Sequence, residues 1–126
     1  MKNKIWLTDP EQHDYIAAAD YLSLLYPEEI ANDSAEQLKN VPTIKKKAKD
    51  ILRASELSLL PQTNFHVREN MRKVKRGKKL SPILLVRDGK LIIADGYHRV
   101  CAIYYLSEDL EVPCRITDKA VQRKND

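Results

Sequence analysis

Residues 82–95, PILLVRDGKLIIAD, restrict the fold of this chain more than any other stretch. Two aliphatic runs flank Arg87-Asp88-Gly89-Lys90, and an Asp-Gly between such runs is the strongest short-range signal for a β-hairpin. An all-helical fold would have to wind that turn into a helix, which the aliphatic runs oppose. Directly after the second run come Asp95, Gly96, Tyr97, His98 and Arg99, and then a second apolar stretch with a different rhythm. Tyr97 to Leu106 reads as a mostly buried helix, and LEVPCRIT after it reads as a last strand. The expected class is therefore α+β, a small mixed sheet with packed helices.

Upstream of the hairpin the spacing is helical. Asp9 reads as an N-cap, with Pro10 at the first helical position and Gln12 closing a capping box. Tyr15, Ala18, Ala19, Leu22, Leu25 and Tyr26 then share one face until Pro27 stops the helix. Asp33 with Glu36 repeats the capping pattern for a short helix ending near Asn40. Thr43 caps a third helix over IKKKAKDILRAS, so residues 1–55 are expected to be helical throughout. ELSLL reads as a brief strand ending at Pro61. Phe65 to Arg76 reads as a basic amphipathic helix, with Gly77 as its C-terminal stop. Residues from Lys119 onward are polar and expected to fray. Trp6 is expected to pin the N-terminus to the body, and His13 to be exposed.

With 126 residues and 43% hydrophobic composition, the chain suits one domain, residues 1–126. Within it lie a helical segment (1–55), a sheet-bearing core (56–118) and a tail (119–126). No apolar run approaches a membrane span, and the N-terminus lacks a signal-peptide pattern. Cys101 and Cys114 offer no disulfide framework or metal cluster, and the three histidines lack zinc spacing. A reduced cytoplasmic setting is the corresponding expectation.

Formal charge is +4, but Arg68 to Lys79 alone holds seven basic residues and one acid. That leaves the rest of the chain slightly acidic. Arg68, Arg72, Lys73, Lys75, Arg76, Lys78 and Lys79 form either a solvated helix face or a phosphate-attracting surface for nucleic acid or a phosphorylated ligand.

The hairpin–turn–helix order makes a specific chemistry available. The first amides of a helix lack intrahelical partners and sit at the positive end of its dipole, so they can bind an anion. Gly96 has no side chain to block a phosphate oxygen. His98 and Arg99 add donors, and Arg grips phosphate in a bidentate fashion. Asp95 can cap the helix, hold a metal such as magnesium, or bind a substrate hydroxyl. Asp95 and His98 are the candidates for catalytic work. The plainer alternative is an ordinary cap and turn, with His98 and Arg99 satisfying local carboxylates.

Residues 80–116, LSPILLVRDGKLIIADGYHRVCAIYYLSEDLEVPCRI, resemble the core of the ParB/sulfiredoxin superfamily. That core has a strand pair, a short Gly-containing motif with His-Arg or Arg-Arg, a helix, and a final strand with Val-Pro. Residues 57–82 are similar to its lead-in, which closes on Gly-x-x-Leu-x-Pro. Sulfiredoxins bind ATP at Gly-Cys-His-Arg, partition proteins bind CTP at Gly-Glu-Arg-Arg, and free serine kinases carry Asp-Gly-His-His-Arg. The resemblance implies a phosphate site at Gly96, Tyr97, His98 and Arg99, with Asp95 matching the kinase-type acid. It further implies a nucleoside triphosphate with magnesium as ligand, and phosphotransfer or nucleotide hydrolysis as activity. Tyr97 stands where sulfiredoxins keep their reactive cysteine, which excludes that chemistry. His98-Arg99 offers one guanidinium where partition proteins have two, and the kinases' lead-in carboxylate is replaced by Pro61-Gln62-Thr63-Asn64. Cys101 reads as a small core residue.

Three classes of function follow. One is binding of a nucleotide or phosphorylated small molecule at the Asp95–Arg99 turn. Another is a nucleic-acid-binding module using the basic helix. The last is a non-catalytic interaction protein whose Tyr-rich N-terminal helix forms a homodimer or binds a partner.

Overall fold

The structure, a computed structural model, describes residues 5–122. Five helices and four strands run in the order α1 (Gln12–Leu22), α2 (Glu28–Lys39), β1 (Ile44–Lys47), α3 (Ala48–Ser55), α4 (Phe65–Lys75), β2 (Ile83–Asp88), β3 (Lys90–Asp95), α5 (Tyr97–Leu106) and β4 (Glu111–Asp118). The class is α+β, with a mixed sheet ordered β1-β4-β2-β3. The hairpin pairs β2 with β3 antiparallel, while β4 returns parallel to β2 and antiparallel to β1.

Alternation along β2 sorts the core into two layers. Ile83 and Leu85 pack with Ile51 of α3, Val67 of α4 and Val100 and Ile103 of α5. Leu84 and Val86 pack on the other face with Ala18 and Leu22 of α1 and Ala31 and Leu38 of α2. All four β2 residues are fully buried, which explains why the run is continuously aliphatic rather than alternating. Each such Leu or Ile contributes roughly 1.5–3 kcal/mol by leaving water. Among the described residues, no helix is long and apolar enough to cross a membrane.

The hairpin, α4 and α5 form where the sequence placed them, and Gly77 follows α4 at φ 76°. Trp6 is buried and bridges to Leu80. The N-terminal elements differ. The N-cap of α1 is Glu11, whose amide donates to Asp14 Oδ2 at 2.7 Å; Asp9 instead accepts from Arg115 at 3.0 Å. The carboxyl group three residues on captures the Glu11 amide, so the helix starts there. Helix α1 ends at Leu22 and α2 begins at Glu28, where Glu28 and Glu29 occupy the first turn. Acids there complement the helix dipole, so Pro27 opens a helix that runs straight through Asp33 and Glu36.

Residues 44–47 are a strand, not a helical turn, and residues 1–55 are therefore not helical throughout. Thr43 is no cap: its hydroxyl accepts from Arg115 Nε at 3.1 Å. The backbone of β4 offers an edge, and pairing with it outweighs the helical preference of Ile-Lys-Lys-Lys. ELSLL forms no strand, and Leu57 and Leu59 are exposed. At the far end, Lys119 N donates to Arg87 O and Ala120 N to the Ser34 hydroxyl, both at 2.9 Å, and Ala120 is buried. The chain is thus held beyond Asp118; residues 123–126 of the expected tail lie outside the described residues.

Candidate functional site

Strand β3 delivers Asp95 to the sheet's edge, and Gly96 turns the chain into α5 at φ 116°. A Cβ on Gly96 would lie 2.4 Å from Ile83 Cδ1 and 3.1 Å from an Arg99 nitrogen. Glycine is required here by backbone conformation and by close packing, whatever approaches from outside. Gly96 is the N-cap residue and supplies no side-chain cap hydrogen bond to the opening amides of α5. The first helical bond is Val100 N to Gly96 O at 3.0 Å.

Arg99 folds back along this corner. Its Nη2 donates to Asp95 Oδ2 at 2.8 Å and reaches Pro82 O at 3.4 Å. The same nitrogen lies 4.0 Å from Asp14 Oδ1, and the Asp14 side chain is only 3% exposed. The Nε of Arg99 is buried without a hydrogen-bond partner. The corner therefore holds two carboxylates and one guanidinium. Burial holds the Asp95 carboxyl above the usual carboxylate range; Arg99 pulls it down, and Asp14 pushes it up again. Asp14 is the residue that sequence reading missed. Its signal was the capping box, read two residues too early and assigned to Gln12.

The other site residues are shared between packing and surface. The Tyr97 hydroxyl donates to Ser58 O at 2.5 Å, and Tyr105 donates to Leu60 O at 2.6 Å. Cys101 lies between them, fully buried, its thiol pushed up by desolvation and pulled down by a bond to the Leu60 backbone. Residues 97, 101 and 105 are one helical stripe, and together they fasten the segment before α4 onto α5. Asn64 then caps α4, accepting from His66 N at 3.0 Å and Val67 N at 3.1 Å. His66 and His98 meet with ring centroids 4.8 Å apart. Burial, then His66, then Arg99 lower the pKa of His98, which keeps its imidazole neutral.

The basic residues 68, 72, 73, 75, 76, 78 and 79 are all exposed. Arg72 pairs with Glu69 at 2.7 Å. They do not line the Asp95 corner. Lys79 instead shares a surface groove of about 490 Å³ with Lys45 of β1, beside Trp6 and Thr43. Both cysteines are free and buried, and among the described residues no three His, Cys, Asp or Glu side chains converge as metal ligands. Asp95 is a poor magnesium ligand as placed, because Arg99 already holds its oxygen and burial favours its protonated form. No family model, curated protein or solved structure matches this chain.

Proposed function

We propose that the chain binds a phosphorylated small molecule of the nucleotide class at the start of α5. The observation that carries this reading is the uncapped first turn behind Gly96, with a guanidinium beside it whose Nε has no partner. Amides of such a turn favour an anion. Tyr97 and His98 contribute backbone N–H groups, since the Tyr97 hydroxyl is already committed to Ser58. Arg99 supplies the charge-assisted contact by releasing part of its grip on Asp95. Asp14 and Asp95 are the carboxylates at the corner, so phosphoryl transfer from a nucleotide to a second ligand's hydroxyl is the reaction class its chemistry suits, with Asp95 taking the hydroxyl proton only in its ionised form, the form that the bond from Arg99 favours.

The test is a thermal-denaturation panel of a nucleoside triphosphate, a sugar phosphate, inorganic phosphate and a short oligonucleotide. A ligand present at a hundred times its dissociation constant stabilises the folded state by about 2.7 kcal/mol. Stabilisation by a phosphorylated small molecule, lost in Arg99→Ala, supports the reading. Stabilisation by the oligonucleotide alone, falling steeply with salt, supports the nucleic-acid reading favoured by the Lys45–Lys79 groove. No shift with any ligand leaves the interaction reading, in which exposed Ile16, Tyr21, Leu24 and Leu25 form the contact face.

A further inference from the structure

Helices α4 and α5 start side by side, and each places a histidine at its second position. The imidazoles of His66 and His98 meet with centroids 4.8 Å apart and planes inclined at 54°. Phe65 stands edge-on to His66 at 5.4 Å, and Tyr97 flanks His98 at 5.7 Å. The pair is held from both sides, by the Asn64 cap on α4 and by the bonds from Tyr97 and Tyr105 to Ser58 and Leu60. Among the described residues, neither imidazole is engaged in a hydrogen bond or ion pair. His98 is half-buried and His66 exposed, so the paired rings keep their nitrogens uncommitted at a place that an ion can reach from solvent, and a half-buried imidazole like His98 ordinarily spends a nitrogen on a local partner.

We propose that His66 and His98 form a two-imidazole site for a transition-metal ion of the zinc, nickel or copper class, its remaining positions open to water or an oxyanion. Neutral imidazole is the ligand that these ions share. At metal–nitrogen distances of about 2.0–2.1 Å, each ring centre lies roughly 3 Å from the ion. Centres 4.8 Å apart then subtend an angle between those of square and tetrahedral coordination. Two helix starts disfavour a bare cation, so the ion keeps an anionic or hydroxide co-ligand facing the first-turn amides. The site does not depend on the phosphate reading, because the metal alone is its probe.

The full chain, stripped of metal, is titrated with Zn²⁺, Ni²⁺ and Mg²⁺ by calorimetry in a non-coordinating buffer. The expected result is one saturable site for Zn²⁺ and Ni²⁺ and none for Mg²⁺, which prefers oxygen ligands. His66→Asn and His98→Asn each weaken binding by more than about ten-fold, the loss already usual when a ligand's own hydrogen-bond partner is removed. His13→Asn leaves it unchanged. His13 is the rival location, lying 3.7 Å from Glu11 and 3.5 Å from Asp14. Absence of saturation at millimolar metal, binding undiminished in His66→Asn, loss in His13→Asn, or equal binding of Mg²⁺ would each overturn the proposal. His66 is exposed, so its variant tests the site even where His98→Asn disturbs the fold.

Discussion

Gly96, Arg99, Asp95 and Asp14 serve the fold and the proposed site at once. Gly96→Ala forces a side chain to φ 116° and into Ile83, so urea unfolding should show a loss greater than about 1 kcal/mol. Arg99→Ala removes the partner of a mostly buried carboxylate. It should cost roughly 3 kcal/mol near neutral pH, the low end for a broken buried pair. The pH dependence has a definite sign. The pKa of Asp95 is raised on folding, so its favourable contribution is complete below the ordinary carboxylate pKa and disappears as pH rises through the folded value. Without Arg99 that folded value climbs further. The gap between wild type and Arg99→Ala should therefore be widest near neutral pH and narrow as pH falls toward about 4. A gap that stays constant across urea titrations would remove this account of the corner. Asp95, Gly96, His98 and Arg99 were legible because adjacent residues announce a turn and a helix start. Asp14 was not, since its neighbour Asp95 lies far along the chain and only the packing of α1 on the sheet brings them together.

The hairpin, α4 and α5 were legible for a related reason: each carries its own punctuation, an Asp-Gly turn, a Gly stop or an apolar run of helical length. Strand β1 carries none. Ile44 to Lys47 would pass as the first turn of a helix, and only the ladder with β4 makes them extended. Pairing energy supplied by a distant element overrode local preference. The segment before α4 shows the converse, since Leu57 and Leu59 look strand-like yet find no ladder and are held by side chains instead. Replacing both Tyr97 and Tyr105 with Phe removes two hydroxyl-to-carbonyl bonds worth about 0.5–1.5 kcal/mol each. Residues 57–64 should then exchange their amide protons faster and be cut sooner by protease, while β2 stays protected. Equal acceleration across β2 would show that the latch is not local.

Residues 1–55 resemble an addition to a smaller sheet-bearing core, yet they supply one edge strand and the whole α1/α2 cover of one sheet face. A fragment beginning at Glu56 should accordingly expose Leu84, Val86 and Ile92 and run in gel filtration as aggregate or unfolded chain, not as a folded monomer. A monodisperse fragment with a cooperative melt would show that the sheet can stand with one face bare. The two margins of the sheet are chemically opposite. On β1 every residue is exposed and three in a row are lysines, a charge density that repels any basic strand laid alongside. On β3 the margin runs Leu91-Ile92-Ile93-Ala94, of which the last three are buried, and Tyr21, Leu25 and Leu57 line a groove with the first three. Strand-by-strand growth needs two receptive margins. Pairing the β1 edges of two copies would set three lysines against three, so this margin is closed to sheet growth from copy to copy.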